Sequence, residues 1–214
     1  MLNIAVLVSG GGTNLQALLD AQKAGGIPGG TVALVVSSNP KAYALERARR
    51  AGVPSKVLRR RDFAGQGEYD GALLGLLREN DIRLVILAGF MTIVSSRVVG
   101  EFRNRIMNVH PSLIPSFCGE GYYGLRVHEE ALKRGVKVTG ATVHFVNEIC
   151  DGGPIILQKA VEVLPGDTPE TLQRRVMEQA EWKLLPQAAA LFCAGKLKVE
   201  DGKVIVTGGL KIES

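Results

Sequence analysis

The sequence near the start of the chain runs Ile4-Ala5-Val6-Leu7-Val8 and continues directly as Ser9-Gly10-Gly11-Gly12-Thr13-Asn14. A short, wholly apolar run of this kind is typical of a strand that is covered on both faces of a sheet. Leu15, Leu18 and Leu19 then recur at helical spacing. The stretch therefore predicts a strand, a glycine-rich turn and a helix, which is how an α/β unit begins.

The same alternation continues through the first half of the chain. We expect strands at 32–36, 57–58, 84–88 and 105–109, and helices at 42–51 and 69–78. Two β-rich runs then follow closely at 138–146 and 155–163, which predicts an antiparallel pair. A long helix at 168–185 and a hairpin at about 197–207 complete the pattern.

This order of elements predicts an α/β fold. We expect a Rossmann-like, doubly wound, mostly parallel sheet with an antiparallel C-terminal strand pair. No linker or internal repeat divides the chain, so we expect one domain over residues 1–214.

Composition argues against several classes of protein. No apolar run approaches the roughly 20 residues that a membrane span needs, and residues 2–8 are too short for a signal-peptide core. Cys118, Cys150 and Cys193 are odd in number and lack CxxC spacing, which indicates free thiols rather than a disulfide framework or a metal site. We therefore expect a cytoplasmic protein with no membrane partner and no bound metal.

The net charge of +5 suits a small anionic substrate. Arg59-Arg60-Arg61 is the one basic cluster, and no aromatic residues interleave with it as a nucleic-acid platform would require. We expect no nucleic-acid partner, and the cluster itself is typical of a solvated basic turn.

The glycine loop could bind a ligand, or its glycines could be needed only for the turn between strand and helix. Glycines let backbone approach a ligand closely, and a helix N-terminus offers unpaired N–H groups to an anion. Thr13 and Asn14 could cap the helix or bind phosphate. The spacing is neither GxGxxG nor a P-loop, which favours a single phosphate over a nucleotide. Glycine-rich turns also arise for steric reasons alone, and both readings stay open.

A polar cluster follows the predicted fifth strand. Asn108 and His110 are two residues apart, so they share one face of that strand. They offer a donor for an oxyanion and a group that moves protons near neutral pH. His144 is interpreted as a sheet residue and His128 as a local cap. Asp151 lies in a Cys-Asp-Gly-Gly-Pro sequence that is typical of a turn, and it would have a catalytic role only if it folded back onto His110.

Two motifs resemble the folate-dependent formyltransferases. They are Met107-Asn108-Val109-His110-Pro111-Ser112-Leu113-Ile114-Pro115 and Asp151-Gly152-Gly153-Pro154-Ile155. The glycine loop 9–16, the run 88–91 and Val143-His144-Phe145-Val146 resemble the branch of that family that acts on a phosphoribosyl substrate. The resemblance covers about residues 2 to 198.

The resemblance implies an activity and roles for residues. The activity is transfer of a formyl group from the co-substrate 10-formyltetrahydrofolate to the amine of a phosphoribosylated glycinamide, a step of de novo purine biosynthesis. Asn108, His110 and Asp151 would be catalytic, with Asp151 keeping His110 charged while Asn108 and His110 stabilise the oxygen of a tetrahedral intermediate. The substrate would be bound by Gly12, Thr13, Asn14, Leu15, Gln16 and Glu181. The folate would be bound by Met91, Thr92, Ile93, Val94, Asn147, Glu148, Ile149 and Cys150.

The chain departs from the family pattern in four places. Thr92 and Gln66 stand where the family often has arginines that contact the folate. The loop 116–124 is longer than expected and rich in Gly and Tyr, as a lid or a contact surface would be. The family has an acidic residue in its late helix that binds the substrate, and Glu181 stands one position away from the expected place. The competing interpretation is that Glu181 lies on a solvated face of the helix.

Three other functions compete with this one. A formyltetrahydrofolate hydrolase would be expected to carry an N-terminal regulatory domain, and a methionyl-tRNA formyltransferase a C-terminal nucleic-acid-binding domain. A non-enzymatic phosphosugar-binding module would explain the glycine loop but not Asn108, His110 and Asp151. We expect small-molecule substrates and either a monomer or a homodimer.

Overall fold

The computed structural model describes residues 1–208. Its strands are β1 (Leu2–Val8), β2 (Gly30–Ser37), β3 (Ser55–Val57), β4 (Ile82–Leu87), β5 (Ile106–His110), β6 (Val138–Phe145), β7 (Ile155–Glu162), β8 (Leu197–Glu200) and β9 (Lys203–Val206). Its helices are α1 (Thr13–Lys23), α2 (Tyr43–Arg50), α3 (Gln66–Glu79), α4 (Ser96–Glu101), α5 (Leu125–Arg134), α6 (Pro169–Val176) and α7 (Trp182–Cys193).

Seven strands form one sheet in the order β3-β2-β1-β4-β5-β6-β7. The first five pair in parallel, whereas β6 is antiparallel to β5 and β7 is antiparallel to β6. β8 and β9 form a separate antiparallel hairpin. The predicted fold is therefore confirmed, including the antiparallel pair that follows the parallel part of the sheet.

Two apolar cores cover the two faces of the sheet. One contains Ile4, Val6 and Val8 of β1 with residues of α1, α6 and α7, and the other contains Ala5 and Leu7 with residues of α3 and α4. Because side chains alternate along a strand, a strand between two cores must be apolar throughout. This explains the unbroken apolar run that begins the chain.

The helices differ more from the sequence predictions than the strands do. α4 was not predicted, since it is only six residues long and has no clear apolar stripe. The predicted helix at 168–185 is two helices, because a π-helical turn at Met177–Glu181 separates α6 from α7. The predicted Thr168 start is confirmed, since the Thr168 hydroxyl accepts from the Thr171 N–H in a capping box with Pro169 at the first position.

The terminal hairpin turns at Asp201-Gly202, as the sequence predicts. The predicted single domain extends to residue 214, and residues 209–214 lie outside the described part of the chain. Among residues 1–208, no helix combines the length and the apolar character needed to cross a membrane.

Candidate active site

The candidate catalytic residues lie where β5 meets β6. Met107 and Val109 point into the first core, so Asn108 and His110 point to the other face. The antiparallel register places His144 opposite Asn108 and Thr142 opposite His110. Directly opposed residues of an antiparallel pair lie on the same face and in contact. The pairing of β5 with β6 therefore builds a polar row at the end of the sheet.

The loop between β6 and β7 brings Asp151 to this row. Asp151 has a positive φ of 53°, which is unusual for a residue with a side chain. Gly153 is buried, and a Cβ there would overlap the Phe145 carbonyl oxygen. The Asp-Gly-Gly sequence thus lets the loop fold tightly against β6. Asp151 is a turn residue, as the sequence alone suggests, and it also folds back onto His110.

The Asp151 carboxylate contacts the side chains of its neighbour Cys150 and of three residues of β5 and β6, and one backbone N–H. Oδ2 is 3.4 Å from His110 Nδ1 and accepts from the Gly119 N–H at 2.9 Å. Oδ1 is 3.4 Å from Asn108 Nδ2 and 3.6 Å from His144 Nε2. The side chains of His110 and Asp151 are only 5% and 9% exposed. The structure therefore brings together the three residues for which the family resemblance implies a catalytic role.

His110 lies between two hydrogen-bond acceptors. Its Nε2 is 2.8 Å from the Phe117 carbonyl oxygen, and its Nδ1 faces Asp151. A carbonyl or a carboxylate only accepts, so both contacts are satisfied when both ring nitrogens carry hydrogen. Burial lowers the pKa of His110 below its ordinary value, while Asp151 and the Phe117 carbonyl act in the opposite direction. Geometry thus favours the charged ring and burial the neutral one.

The carboxylate of Asp151 is stabilised in its ionised form. Burial acts to raise its pKa, but the nearby His144 and His110 rings and the Gly119 N–H together hold the pKa below the ordinary value. Asp151 is therefore an anion at neutral pH. A buried anion beside His110 can orient the imidazole and stabilise its charged form.

His144 belongs to the cluster, although the sequence suggested only a sheet residue. Its Nδ1 is 2.8 Å from the Phe145 carbonyl, which requires a hydrogen on Nδ1. In the neutral ring Nε2 is then an acceptor, and it lies 3.3 Å from Asn108 Nδ2. The Asn108 amide can therefore donate to His144 and to Asp151. The opposed register of β5 and β6 is the signal that could have identified this residue.

The Gly- and Tyr-rich loop 116–124 covers the cluster. It supplies the Phe117 carbonyl to His110 and the Gly119 N–H to Asp151, and the Ser116 carbonyl accepts from the Ser112 hydroxyl. α5 follows this loop. Its N-cap is Gly124, so the interpretation of His128 as a cap is wrong. His128 is fully buried because it faces inward from α5, and burial together with His110 lowers its pKa to about 4.

The glycine loop leads into α1 as predicted. Gly12 is the N-cap, has a φ of 72°, and packs so closely on Ala44 that a Cβ would collide with it. The first hydrogen bond of the helix runs from the Gln16 N–H to the Gly12 carbonyl. The preceding N–H groups have no partner four residues back. They are the donors that an anion could use, so the loop has both a steric reason and a binding surface.

Asn14 and Glu181 are joined behind this loop. Asn14 Nδ2 donates to Glu181 Oε2 at 2.7 Å, and both side chains are buried. The helix start has no side-chain cap, so the idea that Thr13 or Asn14 caps α1 is wrong. Burial raises the pKa of Glu181 to about 7, although the Asn14 amide acts against it. Glu181 is therefore buried, and the interpretation that it lies on a solvated helix face is wrong.

A cavity of about 490 Å³ lies along α1, from Thr13 at its start to Ala24 at its end. Thr13 and Gln16 of α1, Arg47 of α2 and Trp182 of α7 are among its lining residues. Arg47 donates from Nε to the Gly11 carbonyl and from Nη1 to Gln16 Oε1. Sequence analysis did not single out Arg47, which places a positive charge beside the glycine loop.

The segments expected to contact folate flank β4 and the Asp151 loop. Met91, Ile93 and Ile149 are exposed by 57%, 87% and 67%, respectively. Thr92 and Val94 are half-buried, and Asn147 to Cys150 form the turn before Asp151. Large apolar side chains this exposed are what a flat organic ligand could cover. No three His, Cys, Asp or Glu residues between positions 1 and 208 are grouped so that they could hold a metal ion.

Comparison with known proteins agrees with this geometry. The family model described as "Formyl transferase" matches residues 2–189. The phosphoribosylglycinamide formyltransferase of Haemophilus influenzae is 39% identical over 208 residues, which are 97% of this chain and 95% of that protein. The human trifunctional purine biosynthetic protein adenosine-3 is 43% identical over 202 residues, which are 94% of this chain but only 19% of that protein.

Solved structures show the same fold. The glycinamide ribonucleotide transformylase 1 of Symbiobacterium toebii matches with a TM-score of 0.90 and 47% identity, covering 96% of this chain and 94% of that one. A formyltetrahydrofolate deformylase of Pseudomonas syringae matches with a TM-score of 0.82 at 24% identity, covering 96% of this chain and 65% of that one, which is a likeness in fold alone. The family match over most of the chain and the extent of the Haemophilus match lead to one conclusion: this chain belongs to the formyl transferase family.

Proposed function

We propose that this chain transfers the formyl group of 10-formyltetrahydrofolate to the amine of N1-(5-phosphoribosyl)glycinamide, in de novo purine biosynthesis. Similarity to phosphoribosylglycinamide formyltransferases over nearly the whole chain supports this substrate pair. The observation that carries the chemistry is the contact between His110 and Asp151, with Asn108 beside them.

Asn108 and His110 stabilise the oxygen of the formyl group in this proposal. As the amine attacks the formyl carbon, negative charge grows on that oxygen, and buried donors aimed at it lower the barrier. His110 donates from Nε2, and Asn108 donates from its amide. Asp151 stabilises the charged ring from the Nδ1 side, which acts against the larger effect of burial on the pKa of His110. The intermediate then collapses: the bond between its carbon and N10 of the folate breaks, N10 takes up a proton as tetrahydrofolate leaves, and the attacking amine gives up a proton. Proton transfer through a side chain such as His110 contributes about 10²–10⁴-fold.

The phosphoribosyl substrate binds at the glycine loop. The backbone of Gly12, Thr13, Asn14 and Leu15 presents N–H groups to its phosphate, and the start of the helix adds a favourable dipole. Gln16 contributes its side chain, whose Oε1 accepts from Arg47 at 2.9 Å beside the same loop. Arg47 lies against the same loop and adds positive charge. Glu181 contacts Asn14 through one carboxylate oxygen and offers the other to the glycinamide end.

The folate binds on the other side of the catalytic residues. Met91 and Ile93 would cover one side of the pteridine-bearing molecule and Ile149 another, since all three are exposed apolar side chains. Thr92 and Val94 line the same segment, and Asn147, Glu148 and Cys150 border the turn that carries Asp151. When bound, the folate supplies the activated formyl group, and these residues orient it and exclude water.

The proposal includes a cytoplasmic location, small-molecule partners and a monomer or homodimer. Light scattering of the purified chain measures its oligomeric state.

The decisive experiment separates transfer from hydrolysis. The purified protein is given 10-formyltetrahydrofolate with and without the glycinamide ribonucleotide, and loss of the formyl group is followed. We expect deformylation only when the amine is present. Equal deformylation without the amine would show a hydrolase instead.

A variant separates an enzyme from a binding module. His110→Ala should lose transfer by at least about 10²-fold while calorimetry shows unchanged binding of the ribonucleotide. Transfer at the wild-type rate in this variant would refute the mechanism.

A further inference from the structure

The segment that follows β5, residues 112–116, lies on β6 and β7 beside the catalytic residues. Thr142 of β6 is opposite His110 on one side and opposite Gln158 of β7 on the other, so these three side chains lie in one row on one face of the sheet. Leu113 packs on the same face, since a Cβ added to Gly140 would be only 2.8 Å from its side chain. The two antiparallel strands therefore support the segment that leaves His110.

The Thr142 hydroxyl joins this segment to β6. Thr142 is fully buried. Its hydroxyl donates to the Ser112 carbonyl at 2.7 Å and accepts from the Ile114 N–H at 3.1 Å. A hydroxyl has a single hydrogen, and here the Ser112 carbonyl takes it, so any further contact of this oxygen must come from a donor.

Gln158 supplies that donor from β7, the last strand of the sheet. Its Nε2 is 2.9 Å from Thr142 Oγ1 and 3.0 Å from the Ile114 carbonyl oxygen. Both partners can only accept, so the amide nitrogen and not the amide oxygen of Gln158 must face them. Both hydrogens of the amide group are thus used, and Ile114 is held at its N–H by Thr142 and at its carbonyl by Gln158.

The held segment leads directly to the group that contacts His110. The Ser112 hydroxyl donates to the Ser116 carbonyl, and the next residue, Phe117, places its carbonyl oxygen 2.8 Å from His110 Nε2. His110 itself is the last residue of β5, two residues before Ser112. The imidazole therefore lies between two points of the chain whose positions depend on where residues 112–116 are held.

We infer that Gln158 is a positioning residue for formyl transfer: it holds residues 112–116 so that the His110 imidazole stays aimed at the formyl oxygen. The inference rests on the proposed function. Gln158 lies on a strand that carries none of the proposed catalytic residues, and it acts through its two donor hydrogens rather than through its shape. The role matters because a small displacement of a catalytic group is costly in rate.

Two substitutions separate the hydrogen bonds of Gln158 from its shape. Gln158→Met keeps the length of the side chain and removes the donor without adding a charge. Gln158→Glu keeps the shape, but its carboxylate only accepts at neutral pH, so it places lone pairs against the Ile114 carbonyl and the Thr142 hydroxyl. We expect kcat for formyl transfer to fall about fivefold in Gln158→Met, the size of one net hydrogen bond, and further in Gln158→Glu. KM for either substrate should change little.

The His110 ring reports the same effect without catalysis. NMR titration of the imidazole in the free protein measures its pKa, which the contact with the Phe117 carbonyl raises. If residues 112–116 shift in Gln158→Met, this contact weakens and the pKa of His110 should fall. The other titratable groups around the ring are the same in both proteins: Asp151, His144 and His128.

Two controls make the result specific. Gln173→Met changes a glutamine of α6, away from this face of the sheet, and should leave both kcat and the pKa of His110 unchanged. Thr142→Val removes the hydroxyl that Gln158 contacts and should itself lower kcat. The losses of Thr142→Val and Gln158→Met should not add in the double variant, because the two residues belong to one hydrogen-bond network. Thermal unfolding verifies that every variant is folded at the assay temperature.

Each outcome decides for or against the role of Gln158. A wild-type kcat in Gln158→Glu would show that only its shape matters, and an unchanged pKa of His110 in Gln158→Met would show that the ring does not depend on it; either result would overturn the inference. So would a raised KM with unchanged kcat, which would assign Gln158 to substrate binding. If the wild-type protein fails to transfer the formyl group, the proposed function fails, and the pKa of His110 still tells whether Gln158 positions the ring.

Discussion

Replacing Glu181 by Gln should stabilise the protein at alkaline pH while weakening the substrate site. Glu181 is only 5% exposed, and burial raises its pKa to about 7, whereas a carboxyl of this type in an unfolded chain has a pKa of 4.5. A raised pKa in the folded state means that the protonated form is favoured there. The stability that this preference provides is present below pH 4.5 and is lost as the pH rises to 7.

The size of the effect follows from the shift. Each pKa unit corresponds to about 1.4 kcal/mol, so keeping the ionised carboxylate buried above pH 7 costs about 3 kcal/mol. Gln has nearly the same shape, carries no charge and can still accept from Asn14 Nδ2. The free energy of unfolding of Glu181→Gln should therefore exceed that of the wild type by about 3 kcal/mol at pH 8 and be nearly equal to it at pH 4.5.

Urea unfolding of both proteins at several pH values between 4.5 and 8 measures this difference. Glu178→Gln is the matched control, because Glu178 lies in the same π-helical turn but is exposed. It should show no pH-dependent gain. The reasoning would be refuted if the gain in unfolding free energy of Glu181→Gln over the wild type were constant across this pH range or became smaller as the pH rises. The same variant should raise KM for the ribonucleotide if Glu181 contacts its glycinamide end.

Two further predictions concern how the site is held. Gly153→Ala should destabilise the protein and reduce kcat, because the added Cβ would overlap the Phe145 carbonyl and displace the Asp151 loop. Thermal unfolding and steady-state kinetics test this. Gly10→Ala is the control: a Cβ at Gly10 would meet open space, so its stability should be near that of the wild type. His144→Phe removes one of the two acceptors of Asn108 Nδ2 and leaves Asp151 as the other. It should lower kcat about fivefold, as loss of one neutral hydrogen bond would, with little change in KM for either substrate. His144→Gln should recover part of the loss, and an unchanged kcat in His144→Phe would show that Asn108 needs no such support.

The sheet was predictable because its physical signals are local. Strands buried on both faces must be apolar, and the run at β1 and its repeat at β4 reflect this directly. The short helix α4 carries too few residues to show a period. The π-helical turn was not predictable from helical spacing, since one extra residue in a turn leaves the composition of the helix unchanged.

The site was only partly predictable, for a related reason. Alternation along one strand was enough to place Asn108 and His110 on one face. The approach of Asp151 depends on a left-handed residue and a glycine packed on Phe145, which a single sequence does not distinguish from an ordinary turn. The contribution of His144 depends on strand register, and that of Phe117 is a backbone carbonyl, which has no side-chain signature at all.

The contacts of loop 116–124 bear directly on how His110 could act. The Nε2–H that we propose for the formyl oxygen now serves the Phe117 carbonyl at 2.8 Å. One N–H cannot make two good hydrogen bonds at once, so the substrate oxygen must displace Phe117 before His110 can stabilise it. The other nitrogen would still face Asp151, because that contact comes from the β6–β7 loop and not from loop 116–124. Catalysis by His110 therefore requires loop 116–124 to give up its Phe117 contact, while the pairing that orients the ring stays in place.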